Sequence, residues 1–198
     1  MNTNKQKIQR LTVLGLLSAL VILLQFLSMA LRFSAFNITL TLIPIVVGAA
    51  LYGIGAGAWL GLVFGVIVLL SGDAAGFLVW SIPGTVITVL GKGIAAGVAS
   101  GLVFKLLEKK NRAVATVAAA VICPIVNSGV FLLGCLTFFF GNITAAAEGT
   151  AYAGNTVAFI IMVYIGFNFI LEFLINTVFS PTIVYIVNIG KKHFLSRG

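Results

Sequence analysis

The chain has 198 residues, of which 61% are hydrophobic and 8% charged, and it carries a formal net charge of +8 at pH 7. With a mean hydropathy of +1.19 it lies far outside the apolar range of soluble globular domains, which excludes a soluble enzyme or binding domain and predicts an all-α integral membrane protein. The positive charge does not indicate nucleic acid, because ten of the twelve basic residues fall in three clusters flanking apolar runs, as expected of loops retained on the cytoplasmic side.

A helix needs about 20 apolar residues to cross about 30 Å of hydrocarbon. The apolar runs predict six spans, at about 11–31, 38–52, 55–71, 82–107, 113–140 and 156–189, forming a single membrane domain over residues 1–198. The first run follows Lys5, Lys7 and Arg10 and lacks a small-residue cleavage pattern after a short apolar core, so it reads as a retained helix and not a signal peptide. Arg32, Ser34 and Asn37 mark its far interface. The apolar stretch from Ile38 to Leu70 is too long for one helix and is divided by the turn-like run Tyr52-Gly53-Ile54-Gly55-Ala56-Gly57.

After Ser71-Gly72-Asp73 the chain passes Trp80, an interface anchor, and Pro83, which suits the first turn of the fourth span. Lys105, Lys109, Lys110 and Arg112 form the second basic cluster. Pro124 is expected to kink the fifth span or shift its start. The polar stretch from Gly141 to Asn155 is expected to be a loop. The last run is too long to cross without tilt, and Pro181 is expected to divide it into a spanning part and an amphipathic end, before the third cluster, Lys191, Lys192 and Arg197. Placing all three clusters inside predicts an N-in, C-in bundle, with four spans before the second cluster and two after it.

Two glycine series stand out. Gly57, Gly61 and Gly65 on the third span and Gly93, Gly97 and Gly101 on the fourth recur every four residues, which puts small residues on one helical face and lets backbones approach closely.

The inventory of reactive residues argues against an enzyme. The one histidine, His193, lies in the basic tail, so no His-based metal site, Ser–His dyad or acid–base pair is expected within the membrane. Gly91-Lys92-Gly93 lacks the spacing of a phosphate-binding loop. Cys123 and Cys135 lie in an apolar run and read as small buried hydrophobes, without a disulfide framework or metal site. Asn142-Ile143-Thr144 has the form of a glycosylation acceptor, a triplet that arises often by chance. No cofactor and no metal is expected.

Lys92 and Glu172 are the informative charges, since a charge near mid-membrane costs about 3 kcal/mol unless it is paired or faces water. Glu172 is flanked by Asn168 and Asn176, and this i, i+4, i+8 spacing makes one polar stripe that must face protein or a cavity. Lys92 and Glu172 either serve a ligand or pair with each other. Asn127 on the fifth span is either a ligand contact or a helix–helix hydrogen-bonding residue. Polar and aromatic residues at the far ends of the spans, among them Arg32, Asn37, Trp80, Asn142 and Tyr152, are candidates to line a site for a small solute.

Several segments together resemble the substrate-binding S components of energy-coupling factor (ECF) vitamin transporters. They are Gly15-Leu16-Leu17-Ser18-Ala19 on the first span, Leu42-Ile43-Pro44-Ile45, Leu51-Tyr52-Gly53-Ile54-Gly55-Ala56-Gly57, and Lys92-Gly93-Ile94-Ala95-Ala96-Gly97. The likeness extends over nearly the whole chain. It implies a six-helix bundle in a bacterial cell membrane that binds its ligand near the outer surface, under the first loop, and topples to release it inside. It also implies an energising module with a transmembrane T subunit, contacted by the small pair Gly15 and Ala19, and two ATPase subunits. Gly15 stands where alanine is more usual in that family, and glycine equally permits close approach.

The pattern is most similar to the pantothenate, riboflavin and folate branches. A cavity reached by Lys92 and by the Asn168–Glu172–Asn176 stripe would suit a small anion with hydroxyl or amide groups, which makes pantothenate the leading ligand. A Lys92–Glu172 pair would instead favour a neutral ligand such as riboflavin. The alternatives to an S component are a self-sufficient secondary transporter, for which an inverted repeat between the two halves would be expected and none is evident, and a non-transport membrane scaffold.

Overall fold

The computed structural model describes residues 3–30 and 40–195, and within them the side chains of 7–30 and 40–192. Arg32 and Asn37 lie outside the described residues. The regular elements described are helices: α1 (Thr3–Ala30), α2 (Leu42–Tyr52), α3 (Ile54–Leu70), α4 (Ala75–Trp80), α5 (Ile82–Leu107), α6 (Arg112–Phe138), α7 (Phe140–Ala147), α8 (Thr156–Phe159), a π-helical segment (Ile160–Gly166) and α9 (Phe167–Leu195). Four stretches are long and apolar enough to cross a membrane: Lys7–Ala30, Ile82–Leu107, Arg112–Phe138 and Thr156–Lys192. α2 and α3 are apolar but shorter.

The boundaries have local causes. Gly53 separates α2 from α3 at φ +86°, a left-handed conformation that a side chain disfavours. At the start of α5 the Ser81 hydroxyl accepts the Gly84 N–H at 3.2 Å, with Pro83 in the first turn where no N–H is required. Asn111 caps α6 by accepting the N–H groups of Ala113 and Val114 at 2.9 and 3.2 Å.

Two expectations are corrected. Residues 141–155 do not form one loop: α7 occupies their first half because Phe139, Ile143 and Ala147, each buried, recur every four residues and make an apolar stripe. Thr144 and Thr156 then tie α7 to α8 through hydroxyls 2.8 Å apart. Secondly, α9 continues through Pro181. Proline removes the N–H that would reach the Thr177 carbonyl, and the Ser180 hydroxyl donates to that same carbonyl at 2.7 Å, so the helix keeps the bond by other means. The irregularity of the last helix lies instead in the π segment, where a β-carbon on Gly166 would stand only 2.7 Å from the Ile161 carbonyl oxygen. Pro124 sits buried inside α6, which runs unbroken from Arg112 to Phe138.

α2 is the centre of the larger core: Leu42, Ile45, Val46, Val47 and Ala50 are buried there against residues of α1, α3, α5, α6 and α9. A second core of Cys135, Phe139, Ile143, Phe159 and Ile160 lies where α6, α7, α8 and the π segment meet. The basic residues gather at the opposite end. Arg10 donates to the Tyr52 carbonyl at 3.4 Å, Gly190 lies against Leu51, and Lys191 pairs with Glu108 at 3.3 Å.

α3 and α5 pack antiparallel with their backbones in contact. A β-carbon on Gly57 or Gly97 would fall on the other's carbonyl oxygen, the same holds for Gly61 and Gly93, and Gly101 and Gly65 extend the seam to Ile54 and Leu90. Replacing Gly61 or Gly97 by alanine should therefore force the helices apart, at a cost of about 1–3 kcal/mol as overpacking. A lower unfolding midpoint in detergent would register this. Gly55→Ala, where nothing lies within 4 Å of the added methyl, should leave the midpoint unchanged or slightly raised.

Candidate functional site

The seam also positions the informative charge. Lys92 precedes Gly93 in α5, and a β-carbon on Gly93 would touch the Phe64 ring at 3.3 Å, so Phe64 of α3 and Lys92 of α5 meet across the glycine seam. The Lys92 ammonium stands 5.7 Å from the Phe64 ring centre and 5.1 Å from that of Phe131 on α6. Each ring attracts a desolvated cation by about 1–2 kcal/mol.

Lys92 opens onto a cavity of about 350 Å³ inside the bundle, within the range of about 300–1,000 Å³ that holds small ligands. Its polar wall is formed by Gln25, Asp73, Lys92, Asn127, Ser128, Tyr164, Asn168 and Glu172, and its aromatic wall includes Phe64, Phe77 and Phe131. Thus α1, α3, the turn before α4, α5, α6, the π segment and α9 all contribute. The cavity lies toward the end of the bundle away from Lys191 and Glu108.

Two polar relays hold its walls. On one side the Gln25 amide donates to Asp73 Oδ2 at 3.2 Å while its oxygen accepts from Thr41 at 3.3 Å, linking α1, the start of α2 and the turn at Gly72. Gln25 and Thr41 are buried, so these bonds satisfy groups that water does not reach. On the other side the Asn127 amide donates to Glu172 Oε2 at 3.1 Å, joining α6 to α9. One turn further, the Asn176 amide donates to the Glu172 backbone carbonyl at 2.9 Å. The stripe read from the sequence therefore divides. Asn168 and Glu172 line the cavity, while Asn176, together with Ser180 in the next turn, is buried in the helix packing.

Among the described residues, no carboxylate oxygen is in ion-pair contact with the Lys92 ammonium, and the ammonium donates no hydrogen bond. Lys92 and Glu172 share the cavity without forming a direct bridge.

The sequence candidates separate accordingly. Lys92, Asn127, Asn168 and Glu172 are brought together. Trp80 does not line the cavity: it packs behind the wall, with ring centres 5.4 Å from Phe77 and 6.3 Å from Phe139. Tyr152 packs on Phe159 at 5.9 Å in the second core, and Asn142 is exposed on α7. Gln25, Ser128, Tyr164 and the ring residues were not singled out from the sequence. A lone amide in an apolar span was an available signal for Gln25. For Phe64, Phe77 and Phe131 there was none, since aromatic residues are common in membrane helices.

Gly15 and Ala19 are exposed on α1, and nothing lies within 4 Å of a β-carbon at Gly15. The neighbouring Ser18 accepts the Trp59 indole N–H at 3.2 Å, which docks α3 beside this open face.

Comparison with curated proteins and with solved structures gives no match. The profile of the family described as ECF transporter, substrate-specific component, matches residues 9–187, which reaches every long helix and takes in every residue of the cavity wall. A multi-pass helical membrane protein with an internal polar cavity is what a substrate-binding transporter subunit requires, and the chain belongs to the family of ECF transporter substrate-specific components.

Proposed function

We propose that this protein is the substrate-capture subunit of an ECF-type importer for a water-soluble vitamin or related cofactor, with the Lys92 cavity as its binding site and pantothenate as the leading ligand. The observation that carries this reading is the Lys92 ammonium, held against aromatic rings in a cavity of the bundle, with no carboxylate in ion-pair contact among the described residues. A ligand carboxylate would offset the cost of leaving that charge in the membrane interior. Hydroxyl and amide groups of the ligand would meet Asn127, Ser128, Asn168 and Glu172. Pantothenate carries a carboxylate, an amide and two hydroxyls. The rings of Phe64, Phe77, Phe131 and Tyr164 favour a planar ligand as the second reading, with riboflavin or folate next.

In this reading α1, α2, α3, α5, α6 and the final helix form a six-span bundle in a bacterial plasma membrane, with both termini cytoplasmic. The gathering of Arg10, Lys191 and the Lys109 cluster at one end supports that orientation. The cavity then opens toward the outer leaflet. The open face at Gly15 and Ala19 is assigned to the T subunit of a module whose two ATPase subunits supply the energy.

Two measurements check the proposal. Purified wild-type protein should bind pantothenate about tenfold or more tightly than its neutral alcohol analogue pantothenol, and Lys92→Met should lose that preference. If neither protein distinguishes acid from alcohol, the lysine is not a ligand-charge partner. Gly15→Trp or Ala19→Trp should leave binding unchanged and abolish uptake in cells that carry the complete module; uptake at the wild-type rate would exclude this face as the coupling surface.

A further inference from the structure

A lysine in a membrane cavity is ordinarily stabilised by a carboxylate, and this cavity contains two, on Asp73 and Glu172. Neither is within ion-pair distance of the Lys92 ammonium, which lies instead against Phe64 and Phe131 at 5.7 and 5.1 Å from the ring centres. The two solutions differ in consequence. A carboxylate stabilises the ammonium by neutralising it, whereas an aromatic face stabilises it through the ring quadrupole and leaves the net charge in place. The lysine stem has four rotatable methylenes and can swing, so a contact that holds it decides whether it reaches Glu172, which lines the same cavity. The Asn127 amide already occupies Glu172 Oε2, and the two rings stand on helices, α3 and α6, that the glycine seam and the α5–α6 packing hold rigidly.

We infer that Phe64 and Phe131 are specificity-determining residues: by holding the Lys92 ammonium away from Glu172 they keep the cavity selective for an anionic ligand. This rests on the reading of the cavity as the substrate site, and it names the residues that set the charge preference there. Neither ring need touch the ligand carboxylate. Their action is through Lys92, so they are positioning residues.

The test compares ligands and variants in the purified full chain. The affinity ratio of pantothenate to pantothenol should fall about tenfold in Phe131→Leu or Phe64→Leu, approaching that of Lys92→Met. Phe131→Tyr, which keeps the ring face, should restore the ratio. A ratio unchanged in both leucine variants overturns the inference while leaving the substrate reading standing. A wild type without acid preference defeats the substrate reading first. The positioning role has its own readout, which needs no ligand. In thermal unfolding, the non-additivity between Lys92→Met and Glu172→Gln should grow when Phe131 is replaced by leucine, because the released ammonium then pairs with Glu172. The same non-additivity in both backgrounds would show that the rings do not hold the lysine, whichever ligand the protein takes.

Discussion

The architecture depends on the contact of two backbones. At Gly57 with Gly97 and Gly61 with Gly93, α3 and α5 approach until carbonyl oxygens occupy the space that β-carbons would need. In lipid there is little hydrophobic drive to bring helices together, because the tails are as apolar as the side chains, and close van der Waals contact between small residues supplies much of the association. That contact fixes the separation and the register of the pair. Register is what matters for the site, since Phe64 lies one turn beyond Gly61 and Lys92 immediately before Gly93. The lysine and the ring that faces it are set by the same seam.

From there the cavity follows as the space the remaining helices cannot close. α6 packs antiparallel along α5, bringing Phe131 and Asn127 to the wall, and α9 lies along α6 so that Asn127 reaches Glu172. The chain changes from α to π geometry at Ile160–Gly166, where it passes Tyr164 along the cavity. A π segment inserts one extra residue per turn and shifts the faces of the helix that follows. With Gly166 accommodating the Ile161 carbonyl, the segment sets which face of α9 turns inward, and so places Asn168 and Glu172 on the cavity side.

The polar groups of the interior fall into two relays and one cation outside them. Gln25, Thr41 and Asp73 form a relay that ties three segments together, and Asn127, Glu172 and Asn176 form another. Lys92 belongs to neither relay. Its ammonium rests on two aromatic faces instead of in an ion pair. A substrate subunit leaves energy conversion to its partners, so its interior can be given over to recognition.

The sequence by itself determined that this is a helical membrane protein and which charges are out of place in an apolar setting. Those properties are local: hydropathy over about 20 residues, a proline suited to a first helical turn, a glycine-rich run that reads as a turn, a four-residue spacing of polar groups. The same rules explain why Lys92, Asn127, Asn168 and Glu172 were legible as site candidates. Tertiary structure alone decided that Lys92 rests on Phe64 and Phe131 and not on Glu172, that Asn176 packs away from the cavity although it shares the stripe, and that Trp80 and Tyr152 stand in the aromatic packing behind it. Each of these depends on which helices meet and in what register, a relation between residues tens of positions apart that no local pattern encodes. α7 lies between the two cases, since the spacing of Phe139, Ile143 and Ala147 was there to be read but became decisive only with a second core for its stripe to face.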